Sequence, residues 1–121
     1  MISKKQRTLD LYMQAGAEMR LLKTLASKLS IDISQFVYRR DWDKFERALR
    51  IIDEVCSKAE DNMFADYPDL TNDYIHVFYS TTNVKPVDDA DRKTLAIARE
   101  VADKLVYKTP EADNDRPQAD H

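Results

Sequence analysis

Between residues 42 and 63 the side chains Trp42, Phe45, Leu49, Ile52, Cys56, Ala59 and Met63 recur at intervals of three, four, three, four, three and four. Only an α-helix puts such a series on one side, because its period returns every third or fourth residue to the same stripe. A stripe of that length needs other helices to cover it, which commits the chain to a helical bundle. Trp, Phe and Ala in the seam point to packing inside a bundle rather than to a coiled coil. Asp41 is placed to cap this helix, its carboxylate accepting from the free amides of the first turn. On the outer face Asp43 and Arg47, Glu46 and Arg50, and Glu54 and Lys58 are each four apart with the acid first, the favourable order.

The rest of the chain agrees with that class. Its 121 residues include one glycine and one cysteine, which suits one domain and excludes Gly-rich and disulfide-scaffold architectures. A first helix is expected over Ser3–Leu29, with Tyr12, Ala15, Met19, Leu22, Ala26 and Leu29 on one stripe. Leu9, Leu11, Leu21 and Leu25 widen that stripe toward more than one neighbour. Gly16 lies in its middle at a cost of about 1 kcal/mol relative to Ala, which either the close approach of another helix or a slight bend would explain. Residues 30–40 read as a helical turn with Ile31, Ile33, Phe36 and Val37 packed beneath the bundle, since a lone strand there would have no partner. Pro68 opens a short helix to about Ser80, with Leu70, Tyr74, Val77 and Phe78 on one face. The alternation Ile75, Val77, Tyr79 fits a strand equally well. The last helix should run from about Asp88 to Tyr107, with Asp88, Asp89 and Asp91 at its positive end.

The expected fold is therefore all-α, an up-down helical bundle of three long helices and one short helix over residues 1–108. A disordered acidic C-terminal tail, residues 109–121, should follow, because TPEADNDRPQADH holds no large apolar residue to offset its ordering entropy.

Little in the chain points to catalysis. Phosphate-cradling loops need glycines, and Gly16 stands alone. Cys56 sits in the apolar seam and reads as a small buried hydrophobe. His76, three residues after Asp73, resembles half of a carboxylate–histidine pair. A bundle di-metal site needs two such pairs and further glutamates, and a zinc site needs more nitrogen or sulfur ligands than His76 and Cys56 supply. The expectation is no enzyme, no cofactor and no metal.

Three surfaces carry the functional reading. Phe64, Tyr67, Tyr74, Phe78 and Tyr79 fall within 16 residues, with Trp42 at the start of the second helix. A short helix cannot turn all these rings inward, so they are the expected protein-binding residues, although an aromatic end of the core would use the same rings. The basic first half carries 11 Lys/Arg against 6 Asp/Glu in residues 1–50 and offers an alternative. Lys4, Lys5, Arg7, Arg20, Lys23, Arg39 and Arg40 would there bind nucleic acid. The acids from Glu60 to Asp91 give a further alternative, an imitation of nucleic-acid charge, unless the two halves simply neutralise each other across helix seams. The preferred reading is a non-enzymatic protein–protein interaction module, a small adaptor, inhibitor or chaperone-like protein that self-associates, most simply as a homodimer. No apolar run reaches the roughly 20 residues of a membrane helix, and MISKKQRTLDLYMQ lacks the apolar core of a signal peptide. A cytoplasmic protein with no membrane contact is expected.

The order of elements resembles that of small bacterial four-helix export chaperones, such as flagellin chaperones. The likeness rests on a long first helix, the acid-rich start DWDKFERALRIIDEV and a Tyr-containing short helix, about half the chain as a pattern. NDYIHVFYS departs from it by lacking a basic, Tyr-rich signature. The resemblance implies a groove between helices that takes an amphipathic helix of a partner.

Overall fold

The structure is a computed structural model that describes residues 1–105. Among these the order is a 3-10 turn (Lys4–Gln6), α1 (Leu9–Ile33), α2 (Arg39–Asp66), a second 3-10 turn (Asn72–His76) and α3 (Asp89–Leu105), with no strand. The all-α class stands. The short helix expected over 68–80 does not form beyond the turn at 72–76, so three helices, not four, build the bundle. The turn ends at His76, and the chain beyond it reaches the left-handed region at Ser80, whose φ of 75° a right-handed helix cannot contain. The expected tail 109–121, and Tyr107, lie outside the described residues.

The central element is α1, which packs against α2 and α3, while α3 also packs on the 72–76 turn. That is the use of the wide apolar surface of the first helix. The helix starts later than Ser3, because the Leu11 amide donates to Thr8 Oγ1 at 3.1 Å and Thr8 becomes the cap. It also continues past Leu29 to Ile33. In turn α2 starts two residues before the expected Asp41 cap. The amides of Asp41 and Trp42 both bond to the Tyr38 carbonyl, making Tyr38 the N-cap and Asp41 a first-turn acid. Asp88 caps α3, accepting from the Asp91 amide at 2.7 Å.

The tightest packing is not on the stripe expected for α1. Met13, Gly16, Ala17 and Arg20 are buried, whereas Ala15, Leu22 and Leu29 are exposed. Gly16 is approached by a loop rather than by a helix: a Cβ there would lie 2.5 Å from Val77 Cγ1 and 2.9 Å from the Val77 carbonyl carbon. The core gathers Tyr12, Met13, Met63, Val77 and Phe78, with Phe64, Tyr67, Leu70, Tyr74 and Ile97 packed against it. Residues 30–40 do not tuck beneath the bundle. With α1 running to Ile33 and α2 opening at Arg39, the short turn between them leaves Phe36 75% and Ile31 65% exposed, and only Ile33 and Val37 half-buried. On α2, Asp43 pairs with Arg39 rather than Arg47, and Glu46 turns inward to accept from Ser30 Oγ at 2.7 Å.

Candidate interaction surface

Three of the seven candidate basic residues, Arg7, Arg20 and Lys23, are held by the fold. Arg20 is fully buried and reaches across the molecule: Nη1 donates to Asp91 Oδ1 and, at 2.8 Å, to the His76 carbonyl. Nε and Nη2 both donate to the Thr81 carbonyl, at 3.1 and 2.8 Å. Asp91 accepts in addition from the Val87 amide at 3.0 Å. Burial pushes the Asp91 carboxyl up, but the hydrogen bonds from Arg20 and the Val87 amide outweigh it and hold the carboxyl below its usual value. One guanidinium thus fastens α1, the start of α3 and the 76–81 loop together. A sequence signal for this existed: Met13, Gly16, Ala17, Arg20 and Thr24 follow helical spacing, and the small residues mark a face of close approach.

Arg7 is committed as well. It forms a two-pronged bond to Asp66 at 2.8 and 3.1 Å, and the Tyr12 hydroxyl donates to the same carboxylate at 2.5 Å. The hydrogen bonds from Arg7 and Tyr12 lower the Asp66 carboxyl from 3.8 to about 2. A carboxylate whose folded pKa lies below its unfolded one contributes stability above its unfolded value and loses it as pH falls through the folded value. Asp91 acts in the same direction. The melting temperature is therefore expected to fall as pH drops from about 4 toward about 2. Asp66→Asn should melt lower at pH 7 and show a shallower acid limb. A variant curve parallel to wild type between pH 5 and 2 would show that the triad does not control that limb.

The third clamp is Lys23. It donates to the Phe78 carbonyl at 3.1 Å, pairs with Asp53 at 3.2 Å and lies 5.5 Å from the centre of the Tyr79 ring. Next to it, burial raises the Cys56 thiol despite the lysine, which keeps it a thiol rather than a reactive thiolate. Burial, with Asp61 adding to it, also raises the Glu60 carboxyl, and Glu60 Oε2 is buried without a hydrogen-bond partner. His76 is half-buried and Asp73 exposed. Among the described residues no group of three or more His, Cys, Asp or Glu is placed to hold a metal ion.

These contacts separate the two sets of candidates. Arg7, Arg20 and Lys23 serve internal bonds, whereas Lys4 and Lys5 are exposed on the first 3-10 turn and Arg39 and Arg40 at the start of α2. The seven do not form one basic face. Of the aromatic set, Phe78 is buried in the core, and Phe64, Tyr67 and Tyr74 pack against that core. Tyr67 stands edge-on to Tyr12 at 6.3 Å between ring centres and donates to the Arg7 carbonyl at 2.8 Å. Tyr79 is exposed over Lys23. Trp42, at the other end of α2, donates to the Ser30 carbonyl at 3.0 Å and is half-buried. The rings are mostly structural and are split between two places.

A different surface is left open. On α1 the residues Leu11, Ala15, Glu18, Leu22, Leu25 and Leu29 are all exposed and follow intervals of four, three, four, three and four. That spacing draws one line along the helix. Lys23, Glu60 and Tyr79 place the 67–88 segment on one side of the α1–α2 seam. Helical phase puts Leu22 and Leu25 of α1, and Ile51 and Val55 of α2, on the other side. Between the two helices Leu22, Ala26, Leu49 and Ile52, with Lys23, Ser27 and Asp53, line a small cleft of about 110 Å³. Leu25, Ile51 and Val55 are each about 60% exposed (64, 60 and 59%). Large exposed apolar patches are a general feature of interaction sites. A larger groove of about 610 Å³ beside α3, rimmed by Arg92, Arg99 and Asp103, contains none of the candidate residues.

Among the described residues no helix is long and apolar enough to cross a membrane. No protein-family model, curated protein or solved structure matches the chain.

Proposed function

We propose that this chain is a non-enzymatic protein–protein interaction module whose docking surface is the open face of α1 and α2. The observation that carries the reading is the exposed line Leu11, Leu22, Leu25 and Leu29 flanked by Ile51 and Val55. Leucines at helix-packing intervals are costly to leave in water, at roughly 25 cal/mol per Å² of apolar surface, and a docked helix would recover that energy. Of the alternatives, nucleic-acid binding is weakened: Arg20 is held in a buried ion pair and cannot also neutralise a phosphate, Arg7 and Lys23 are bonded within the fold, and the four exposed cations sit in two separate places.

The test is capture from the protein's native cell extract with tagged wild type and with Leu25→Lys/Val55→Lys, with and without nuclease. Both positions are exposed, so the double variant should keep its helical content and melting temperature. Wild type is expected to retain a set of proteins after nuclease, and the variant to lose it. Identical capture by both, or loss of every partner on nuclease treatment, would overturn the reading.

A further inference from the structure

We infer that the first half of α2, with the turn before it, is a second binding site, one for single-stranded nucleic acid and independent of the leucine face. The observation behind it is a set of cations that the fold leaves without partners. Sequence spacing offers Asp43 to Arg47 and Glu46 to Arg50. In the structure Asp43 bonds to Arg39 at 3.2 Å, and Glu46 turns toward α1 to accept from Ser30 Oγ. Arg47 and Arg50, with Lys44 beside them, are exposed and have no ion pair among the described residues. Arg40 has only Asp41, 3.9 Å away with both side chains exposed, a pair worth little. Arg40, Lys44, Arg47 and Arg50 follow intervals of four, three and three, so they run along one side of the helix over about 15 Å.

Open aromatic rings stand at the head of that row. Phe36 and Tyr38, between α1 and α2, are each 75% exposed, and the Arg40 guanidinium lies 5.9 Å from the centre of the Tyr38 ring. Tyr38 and Arg40 together line a hollow of about 450 Å³. Cations in a line, headed by free rings, fit a polyanion that also carries flat bases. Its phosphates lie along α2, and its unpaired bases stack on Phe36 and Tyr38. An acidic peptide would use the cations and leave the rings idle. A duplex would offer phosphates but keep its bases stacked on one another. Of the basic residues weighed from the sequence, only Arg40 belongs to this row; Lys4 and Lys5 stand apart on the first 3-10 turn.

The experiment uses the full chain and the fluorescence anisotropy of a labelled oligothymidine of about 15 nucleotides. Binding is expected with a Kd of about 1–100 µM, and log K should fall with log salt at a slope of about −2 to −3, for three or four phosphates neutralised. Arg47→Gln/Arg50→Gln should bring the slope to about −1. Phe36→Ala/Tyr38→Ala should weaken binding of the strand by about five-fold or more at unchanged slope, and leave binding to a duplex of the same length as it was. All four positions are exposed, so both variants should keep the wild-type helical content. No saturable binding of the strand at low salt, or binding that Phe36→Ala/Tyr38→Ala does not change, would overturn the inference. Tighter binding to phosphatidylserine vesicles than to the strand, lost in the same variants, would overturn it too and assign the rings to a membrane surface. None of these results touches the module reading, which stands or falls with the partners lost by Leu25→Lys/Val55→Lys.

Discussion

Replacing Arg20 with Met is expected to destabilise the protein by about 3–5 kcal/mol, the usual cost of removing one partner from a buried ion pair. Met fills the volume of the side-chain stem but leaves Asp91 buried with the Val87 amide as its remaining donor. It also strips the donors from the His76 and Thr81 carbonyls. Against a total stability of about 5–15 kcal/mol the loss is large, and the melting temperature at pH 7 should fall by about 15 °C or more. Arg20→Lys keeps the charge but not the fork, so it should recover part of the loss, since a point charge cannot reach three acceptors at once. Arg20→Met/Asp91→Leu should be more stable than Arg20→Met alone, because it removes the stranded carboxylate. Thermal unfolding followed by circular dichroism checks all three. A fall of less than about 5 °C for Arg20→Met would show that the clamp is not what fastens the loop to the helices.

Gly16→Ala is expected to be the second most damaging change, although Ala normally favours a helix interior over Gly by about 1 kcal/mol. The added methyl would overlap the Val77 carbonyl oxygen as well as Val77 Cγ1. Overpacking of this kind costs about 1–3 kcal/mol, occasionally more, and the backbone half of the contact cannot turn aside. A net loss of about 1–2 kcal/mol should appear in urea denaturation as a lower midpoint at unchanged slope. Val77→Ala in the same chain removes the Cγ1 overlap and leaves the carbonyl one, so rescue should be partial. A Gly16→Ala protein as stable as wild type would mean that the loop moves away from α1 at little cost.

Part of the site was legible. The three-four series on α2 marks its packed side, and Cys56 and Met63 are buried where that series puts them. The acids ahead of α3 mark its start, and Asp88 caps it. Arg20 reads in the sequence as one of the cations that would bind nucleic acid and is instead buried, because its charge says nothing about a partner 71 residues away. The aromatic segment reads from its spacing as a short helix, or equally as a strand; beyond the turn at 72–76 it is neither, and Val77 and Phe78 reach the core from a turn and loop. The open face was present in the spacing of α1, yet Leu22 and Leu29 stood on the stripe expected to be buried and prove to be exposed.

The sequence by itself determined that the chain is helical, where α2 and α3 lie, and that no disulfide braces them, since periodicity, caps and a single cysteine are local properties. Tertiary structure alone decided which side of α1 is covered. That helix is apolar over most of its circumference, so its own pattern ranks no side above another. The choice falls to the 76–81 loop, which Arg20 and Gly16 admit on one side, leaving the leucines of the other side open to a partner.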